Sequence, residues 1–383
     1  MIRSHTHPDP PSDRSSDRLT IGATVARAAA AALAFGLAFG SAASCAAGRD
    51  EAVIATVLSY NVQNLFNGTD DGGEYREFTR AEGWSRDRYF ARLERLDATV
   101  RRLSAGRLPD VIVFQEFEGA GIGRDIARDF LRGHRHVLSG PAGETATQVV
   151  MLSRLTPTAV SAHRVCEIAV VPGERGRPLW TSRVAVDATF AGRALRVIGA
   201  HWKSQSGGEA VTEPKRIREA ALVRDVLACA GGPRDAVGSP SPLIATLLVG
   251  DLNEDLDEYR SHGGAWPTAL VRCEDLEEIH ERHGPVAPGI VFAPADAVAD
   301  GAGFRTLWST SDAPGTYSYR GEWERLDQAF LAAPPEVGGE LRVGLDPELL
   351  FANGTPARYD SRSGSGCSDH LPIVVTLTRR RAP

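Results

Sequence analysis

Residues 243–257 read Leu-Ile-Ala-Thr-Leu-Leu-Val-Gly-Asp-Leu-Asn-Glu-Asp-Leu-Asp. The apolar run between Pro242 and Gly250 is typical of a strand that is buried on both faces. Gly250 allows a turn that other residues resist, and Asp251 and Asn253 follow two positions apart, so that both can face one pocket. Buried acid and amide groups are costly unless they hold a metal, a water or each other. The alternative is an Asx turn that caps the next segment.

Working outward from this segment, several other apolar runs also end in polar side chains. The polar residues at these ends are Asn61, Asn64, Glu116, His201, Lys203, Asp327, Asp369 and His370. Each one alone has an ordinary explanation, because a single histidine is usually a surface residue and an Asp-His pair before proline can form a turn. Only their occurrence together favours a common site.

Apolar runs alternate with amphipathic segments along most of the chain, which predicts one α/β domain over residues 52–379. Strand-like runs occur at 53–60, 110–116, 134–139, 148–153, 163–171, 180–190, 195–204, 316–330 and 371–377. Helices are predicted after Ser85 as far as Leu103, and at 124–131, 214–230 and 266–278. The first helix carries an apolar stripe formed by Tyr89, Leu93, Leu96, Val100 and Leu103. Residues 231–242 read as a flexible connector, and 258–315 are otherwise weakly patterned.

The composition is that of a globular protein, with 383 residues, 42% hydrophobic and 24% charged. The formal net charge of −6 does not support a broad basic surface that clamps nucleic acid regardless of sequence, although a local basic groove stays open. The five cysteines lack the paired short spacing of a zinc site.

The N-terminal segment, residues 1–47, has the pattern of an export signal. Residues 1–19 are too polar to fold, and Arg27 then precedes an Ala-rich apolar run and the small residues 41–44. Cys45 follows them as in a bacterial lipobox, although Ala42 stands where that pattern prefers Leu. We therefore expect an exported protein, either a cell-envelope lipoprotein attached to the membrane through Cys45 or a secreted one. An uncleaved membrane anchor is the remaining alternative.

Four cysteines lie beyond the expected cleavage point: Cys166, Cys229, Cys273 and Cys367. In an oxidising compartment they can form two disulfides, whose pairing the sequence does not supply.

Six short motifs occur in order along the chain. They read Tyr-Asn-Val-Gln-Asn at 60–64, Gln-Glu at 115–116, His-Trp-Lys-Ser at 201–204, Gly-Asp-Leu-Asn at 250–253, Arg-Leu-Asp at 325–327 and Ser-Asp-His-Leu-Pro at 368–372. In this order they resemble the endonuclease/exonuclease/phosphatase superfamily, which includes pancreatic deoxyribonuclease, abasic-site endonucleases, sphingomyelinases and inositol polyphosphate phosphatases. With the N-terminal signal, the chain is similar to a bacterial exported member.

The resemblance implies a four-layer α/β sandwich, in which two central, mostly antiparallel β-sheets are flanked by helices and the active site lies at one rim. It also implies a divalent cation, Mg²⁺ or alternatively Mn²⁺, held largely by Glu116 with Asn61 nearby. Oxygen ligands suit such a hard cation. Asn61 and Asp369 are assigned to the metal ligands together with Glu116, and Asp327 to the catalytic group. The carboxylate of Asp327 or of Asp369 can instead hold a histidine in its useful tautomer.

The resemblance further assigns roles to the remaining motif residues. Asp251 would orient and deprotonate the attacking water, and Asn253 would hold a phosphate oxygen. His370 would lie against the scissile phosphate, and His201 would donate a further hydrogen bond. Together these groups would support an in-line displacement at phosphorus.

Five further residues could contact the substrate. Asn64 extends the first motif, and Lys203 either offsets phosphate charge or is a solvated surface lysine. Tyr317, Tyr319 and Trp323 either stack on a base or sugar, or pack in the core.

We therefore interpret the chain as a metal-dependent phosphoesterase with a phosphodiester substrate, foremost DNA or RNA. The segment that begins at His201, His-Trp-Lys-Ser-Gln-Ser-Gly-Gly, resembles the corresponding sequence of secreted bacterial nucleases. The acidic net charge argues for weak, salt-sensitive contact with nucleic acid.

The tyrosine and acidic residues that some nucleases place between the Glu and first His motifs have no match here. A phosphodiesterase or phosphatase for lipid headgroups, inositol phosphates or small nucleotides is therefore an alternative, and so is a non-catalytic surface-binding lipoprotein. No protein partner is implied.

Overall fold

The computed structural model describes residues 51–141, 145–169, 177–229, 245–284, 289–294 and 303–380. The predicted leader at 1–47 and the connector at 231–242 lie outside these ranges.

The described residues contain eighteen strands and five α-helices. The strands are β1 (Glu51–Leu65), β2 (Val111–Phe117), β3 (His136–Ser139), β4 (Gln148–Ser153), β5 (Ala159–His163), β6 (Cys166–Ala169), β7 (Arg177–Thr181), β8 (Ala185–Phe190), β9 (Leu195–His201), β10 (Ala245–Asp251), β11 (Leu270–Arg272), β12 (Ile290–Ala293), β13 (Phe304–Thr306), β14 (Tyr317–Tyr319), β15 (Glu322–Glu324), β16 (Asp327–Ala332), β17 (Val337–Val343) and β18 (Ile373–Arg380). The α-helices are α1 (Arg86–Leu103), α2 (Ala120–Asp129), α3 (Glu209–Cys229), α4 (Glu258–Ser261) and α5 (Leu276–His283).

Two large sheets form the centre of the fold. The first has the strand order β17-β18-β1-β2-β4-β3, and the second has the order β11-β12-β13-β16-β10-β9-β8-β5. Most neighbouring strands are antiparallel, but four pairs among the described strands are parallel: β1 with β2, β9 with β10, β11 with β12 and β12 with β13. The β1–β2 and β9–β10 pairs bring the carboxyl ends of their strands to one edge of each sheet. The predicted fold class, a sandwich of two mostly antiparallel sheets, is confirmed.

The inner faces of the two sheets share one hydrophobic core, which includes Val113, Phe114, Val197, Leu247 and Phe330. A Cβ placed on Gly199 of the second sheet would lie 2.6 Å from a methyl group of Val113 in the first. Glycine therefore lets the two sheets approach closely at this point.

Helix α1 begins at the predicted N-cap, because the Ser85 side chain accepts a hydrogen bond from the Arg88 N–H. Its predicted apolar stripe, from Tyr89 to Leu103, is buried as expected. Helix α3 begins at Glu209, earlier than predicted, and contains Pro214 in its second turn.

Two predicted strands are each divided in the structure. Within the predicted run 163–171, His163 ends β5 and residues 166–169 form β6, and those two strands lie in different sheets. The run 180–190 is broken between β7 and β8 at Ser182, whose hydroxyl accepts the N–H of Val165 and donates to the Arg183 carbonyl. Serine competes for backbone hydrogen bonds in this way and interrupts regular ladders.

The predicted helix at 266–278 is wrong for its first half. Residues 270–272 instead form β11, which pairs with β12, and the helix begins only at Leu276. The N–H groups of Ala269 and Leu270 donate to the buried carboxylates of Glu213 and Glu254. These long-range bonds hold the backbone extended, which a local pattern does not reveal.

Within the described part of the chain, Cys166, Cys273 and Cys367 form no disulfide. No helix in that part is both long enough and apolar enough to cross a membrane.

Candidate active site

Three of the predicted residues lie side by side on the second sheet. Asp251 at the end of β10 is paired in register with His201 at the end of β9 and with Asp327 at the start of β16. All three side chains are buried, with relative exposures of 3% or less. Sheet register alone therefore brings together residues that are far apart in sequence.

The first sheet contributes Asn61 and Glu116 to the same place. The Asn61 amide nitrogen donates to Asp251 Oδ2 at 2.8 Å and to Glu116 Oε1 at 3.2 Å. The Asn61 oxygen accepts the N–H of Gln63. Asn61 thus joins the carboxylates of the two sheets through one amide group.

His370 lies against Asp327 and close to Asp251. Its Nδ1 is 2.7 Å from Asp327 Oδ2 and its Nε2 is 3.7 Å from Asp251 Oδ2. The preceding Ser368 hydroxyl accepts the His370 N–H and donates to the Asn61 carbonyl, which fixes the loop against β1. Burial lowers the pKa of His370, but the carboxylates of Asp327 and Asp251 outweigh it and raise that pKa well above its ordinary value.

His201 is in the opposite electrostatic situation. Its Nε2 lies 3.4 Å from Asp251 Oδ2 and 3.8 Å from Glu116 Oε1. Burial, helped by the positive charge of Arg183, nevertheless lowers the pKa of His201 well below its ordinary value. The pKa values of the two histidines of the site are therefore shifted in opposite directions, upward for His370 and downward for His201.

Asp251 is at the centre of this group. Its Oδ1 accepts the Asn253 N–H at 2.9 Å, so the Asx turn considered from the sequence is present. Its Oδ2 faces Asn61, His201 and His370 instead. One oxygen of the Asp251 side chain thus stabilises the local turn, while the other belongs to the site. Burial raises the pKa of Asp251 to about 7, although His370 acts in the other direction.

Four residues of the site region have left-handed backbones although none is glycine: Gln63, Asn64, Glu116 and Asn253. Such conformations cost energy and persist where the surrounding structure imposes them. Gly250 next to Asp251 has φ +151°, and a Cβ there would lie 1.9 Å from the Ala200 carbonyl oxygen. Glycine is therefore required where β10 meets β9.

A cleft of about 550 Å³ opens above these residues. Asn61, Asn64, Glu116, His201, Asp251, Asn253, Asp369 and His370 line it, together with Gln63, Ser204, Gln205, Ser206, Gly207, Glu209, Tyr317, Tyr319, Glu324 and Leu326. The Tyr317 ring lies against His370 with centroids 4.9 Å apart, and Tyr319 is 53% exposed. Among the residues described, the lining includes five carboxylates and no lysine or arginine.

Three predicted residues do not line the cleft. Lys203 turns its ammonium group to the carbonyl and hydroxyl of Ser204. Trp323 packs against the core, and Asp327 is fully buried behind His370. The structure brings the other predicted residues together in one cleft.

A buried charged cluster behind the cleft was not predicted. Arg216 of α3 is 0% exposed and contacts three carboxylates: Glu213, Glu254 at 3.0 Å and Glu258 at 3.1 Å. Glu254 directly follows the Gly-Asp-Leu-Asn motif, and Glu258 also accepts a hydrogen bond from Gln205, which lines the cleft. The cluster therefore connects α3 to two loops of the site. The spacing of Glu213 and Arg216 on one helix was the available sequence signal.

Glu219 provides a prediction on the pH dependence of stability. Its buried carboxylate accepts the Lys203 N–H at 2.7 Å, and burial raises its pKa to about 8. The folded state then keeps a proton that the unfolded chain releases near its lower, unfolded pKa. This contribution to stability is complete below the unfolded pKa and is lost as the pH rises through about 8. We expect the contribution of Glu219 to the free energy of unfolding to fall by about 2 to 3 kcal/mol between pH 6 and pH 8.

Urea unfolding at several pH values tests this expectation, with Glu219→Gln as the comparison. The fall should be about 2 to 3 kcal/mol smaller in the variant than in the wild type, since the variant's amide does not titrate. Wild-type and variant profiles that run parallel would show that Glu219 does not hold the proton.

The strand ends of two stacked sheets thus bring histidines, carboxylates and amides together in one cleft. The sequence model of the Endonuclease/Exonuclease/phosphatase family matches residues 56–261, more than half of the chain. The chain belongs to this family, and it is a phosphoric ester hydrolase. A comparison with curated protein sequences gives no match.

Solved structures similar to the chain include two forms of TDP2 and a toxin. Truncated TDP2 from Caenorhabditis elegans is 15% identical, with 86% of this chain and 98% of that chain covered and a TM-score of 0.43. TDP2 from D. rerio, complexed with a single-strand DNA product, is 16% identical, with coverages of 86% and 99% and a TM-score of 0.43. A mutant beta toxin from Staphylococcus aureus with bound magnesium ions is 14% identical, with coverages of 84% and 99% and a TM-score of 0.43. The family assignment rests on the sequence match and not on these likenesses.

Proposed function

We propose that the chain is a divalent-metal-dependent phosphodiesterase whose catalytic group is assembled around Asp251. The observation that supports this most strongly is the surroundings of Asp251 Oδ2, which lies 2.8 Å from the Asn61 amide, 3.4 Å from His201 and 3.7 Å from His370. A buried carboxylate between two histidines, open to a cleft, is suited to moving a proton.

The residues present fit a hard divalent cation. Glu116 and Asp369 line the cleft with oxygen ligands, and no described lysine or arginine of the lining offsets their charge. We assign Glu116 as the main ligand and Asp369 as a further one. Asn61 lies beside Glu116, where its amide orients the carboxylate. When bound, Mg²⁺ or Mn²⁺ would stabilise negative charge on the phosphate and leaving oxygens.

Side chains of the protein carry out the proton transfer and donate hydrogen bonds to the phosphate. Asp251 accepts a proton from the attacking water, whose oxygen forms a bond to phosphorus while the bond to the leaving oxygen breaks. The leaving oxygen keeps that bond's electron pair and is protonated from solvent. His370, held in place by Asp327, donates to a non-bridging phosphate oxygen, and Asn253 and His201 add hydrogen bonds there. A pKa near 7 at Asp251 suits a base that operates at neutral pH.

For the substrate we propose a nucleic acid strand, DNA or RNA, with one phosphate held in the cleft. The His-Trp-Lys-Ser-Gln-Ser-Gly-Gly segment supports this choice, because it supplies Ser204, Gln205, Ser206 and Gly207 to the cleft wall. Tyr317 and Tyr319 offer aromatic surfaces on which a base can stack.

A compact diester, such as a phospholipid headgroup or a small nucleotide, is the second candidate. The described cleft lining supports it, because it has no lysine or arginine to pair with neighbouring phosphates. A noncatalytic surface-binding lipoprotein is the third, and it would be favoured only by a complete lack of turnover.

The substrate proposal is tested by kcat/KM for plasmid DNA, RNA, sphingomyelin and bis-p-nitrophenyl phosphate at matched salt and Mg²⁺. We expect nucleic acid to exceed bis-p-nitrophenyl phosphate by at least about 100-fold, since contacts beyond the scissile phosphate contribute binding energy to the transition state. Equal values, or turnover of sphingomyelin alone, would replace the nuclease by the second candidate.

We also propose that residues 1–47 export the protein and that residues 52–379 form its catalytic domain. The signal pattern and the lipobox-like Cys45 support this. Intact mass of the protein from the cell envelope distinguishes the alternatives: a lipidated Cys45 at the N-terminus indicates a lipoprotein, and an unmodified N-terminus beyond Cys45 indicates ordinary cleavage.

A further inference from the structure

Strand β1 departs from its regular pairing with β2 directly after the site residue Asn61. Between the pairs Asn61 with Gln115 and Leu65 with Phe117, β1 advances four residues while β2 advances two. Gln63 and Asn64 have φ values of 55° and 53° in this bulge. The bulge therefore has a strained backbone, and its carbonyl groups need donors from outside the ladder.

Arg92 supplies those donors. It lies on α1, is 2% exposed, and its guanidinium donates to the carbonyls of Val62, Gln63 at 2.6 Å and Asn64 at 2.7 Å. The guanidinium also lies over the ring of Tyr359, 3.8 Å from its centroid. One buried cation thus holds three successive carbonyls of the bulge.

The bulge in turn orients Glu116. The Asn64 N–H donates to Glu116 Oε2 at 2.7 Å, while Asn61 on the other side of the bulge donates to Oε1. Glu116 itself has φ 66°, at a place where the β2–β4 pairing also shifts register. The Glu116 carboxylate is therefore oriented by a backbone segment that lies outside the regular β-sheet pairing.

We propose that Arg92 is a positioning residue for the metal ligand Glu116: it fixes the 62–64 bulge so that the Asn64 N–H aims the Glu116 carboxylate into the cleft. This inference rests on the proposed function, because it takes Glu116 as the metal ligand. Arginine suits the task because its planar group presents several donors in a fixed geometry, whereas lysine offers a single charged point. Partners that orient a metal ligand typically change metal affinity by about 10-fold to 100-fold when they are removed.

The test measures Mn²⁺ binding to the full chain by electron paramagnetic resonance without substrate, well below the unfolding temperature of each protein. We expect Arg92→Lys and Arg92→Ala to raise the Kd for Mn²⁺ by about 10-fold to 100-fold. Millimolar guanidinium should partly restore Mn²⁺ binding to Arg92→Ala. If the alanine variant does not fold, the lysine variant alone decides, since it keeps charge and most of the volume.

Arg88→Ala is the matched control. Arg88 is on the same helix and also donates to two backbone carbonyls, those of Ser361 and Arg362, but it does not contact the bulge. Its Kd for Mn²⁺ should stay within about 2-fold of wild type. Folded Arg92 variants with wild-type Mn²⁺ affinity would overturn the positioning role. A wild-type protein that binds no Mn²⁺, or whose binding survives Glu116→Gln, would instead overturn the proposed metal site itself.

Discussion

Replacing Asp251 by asparagine is expected to lower kcat by about 10²-fold to 10⁴-fold. The amide keeps the size of the side chain but does not accept a proton from water. Because burial disfavours the charged form of Asp251, a neutral amide costs the fold little, and the unfolding midpoint should stay close to wild type. Steady-state hydrolysis at saturating substrate and Mn²⁺, with thermal unfolding of the same samples, measures both effects.

Asp187→Asn is the matched control for this substitution. Asp187 is also a buried strand carboxylate, but it pairs with Arg196 at 2.6 Å and does not line the cleft. Its asparagine variant should be clearly less stable, since it leaves a buried arginine without its partner, while kcat below the unfolding temperature is kept. If Asp251→Asn retains kcat, or loses it only in proportion to folded protein, Asp251 is not the base.

Replacing Glu116 by glutamine is expected to raise the Kd for Mn²⁺ by at least about 100-fold, because it removes the negative charge of the main ligand as well as a strong oxygen donor. Hydrolysis at low Mn²⁺ should be lost and should return in part when the Mn²⁺ concentration is raised. Calorimetric titration without substrate measures the affinity, and an activity titration measures the recovery.

Glu118→Gln is the comparison for this second effect. Glu118 follows two residues later and accepts the Asn67 N–H at 2.8 Å, but it does not line the cleft. The affinity of the cleft for Mn²⁺ should be unchanged in this variant. If the Glu116 variant and the wild type have equal affinity for Mn²⁺, the cation is bound by other residues.

Much of the site could be predicted because its parts are local. The segment from Leu247 to Asn253 combines a buried strand, a required glycine and two polar residues, and each of these has a sequence signature. The same holds for His370, which follows a loop and precedes the final strand. The fold class follows from the alternation of such segments.

Other parts depend on contacts that no local pattern contains. The register of β9 against β10 places His201 beside Asp251, and nothing in either strand alone specifies that alignment. The strand at 270–272 was predicted as helix because the carboxylates that hold its start, Glu213 and Glu254, come from elsewhere in the chain. Sequence reasoning therefore found the segments but not their mutual alignment.

Arg92 shows how an overlooked residue can be recognised. It lies within the apolar stripe of α1, three positions after Tyr89 and four before Leu96, where a charged side chain is unexpected. Long charged residues are almost never fully buried unless they are paired. An arginine on the buried face of a helix therefore indicates acceptors in the core, although only the structure shows that they are the carbonyls of the bulge.

The central claim is that one cleft, formed by the strand ends of both sheets, hydrolyses phosphodiesters with a divalent cation. Its most direct test is the rate of bis-p-nitrophenyl phosphate hydrolysis by the full chain with EDTA and after addition of Mg²⁺ or Mn²⁺, for wild type and for His370→Ala. We predict no turnover with EDTA, recovery on addition of the cation, and a rate about 10²-fold to 10³-fold lower in the variant. Turnover that persists with EDTA, or a His370→Ala variant as active as wild type, would contradict the account.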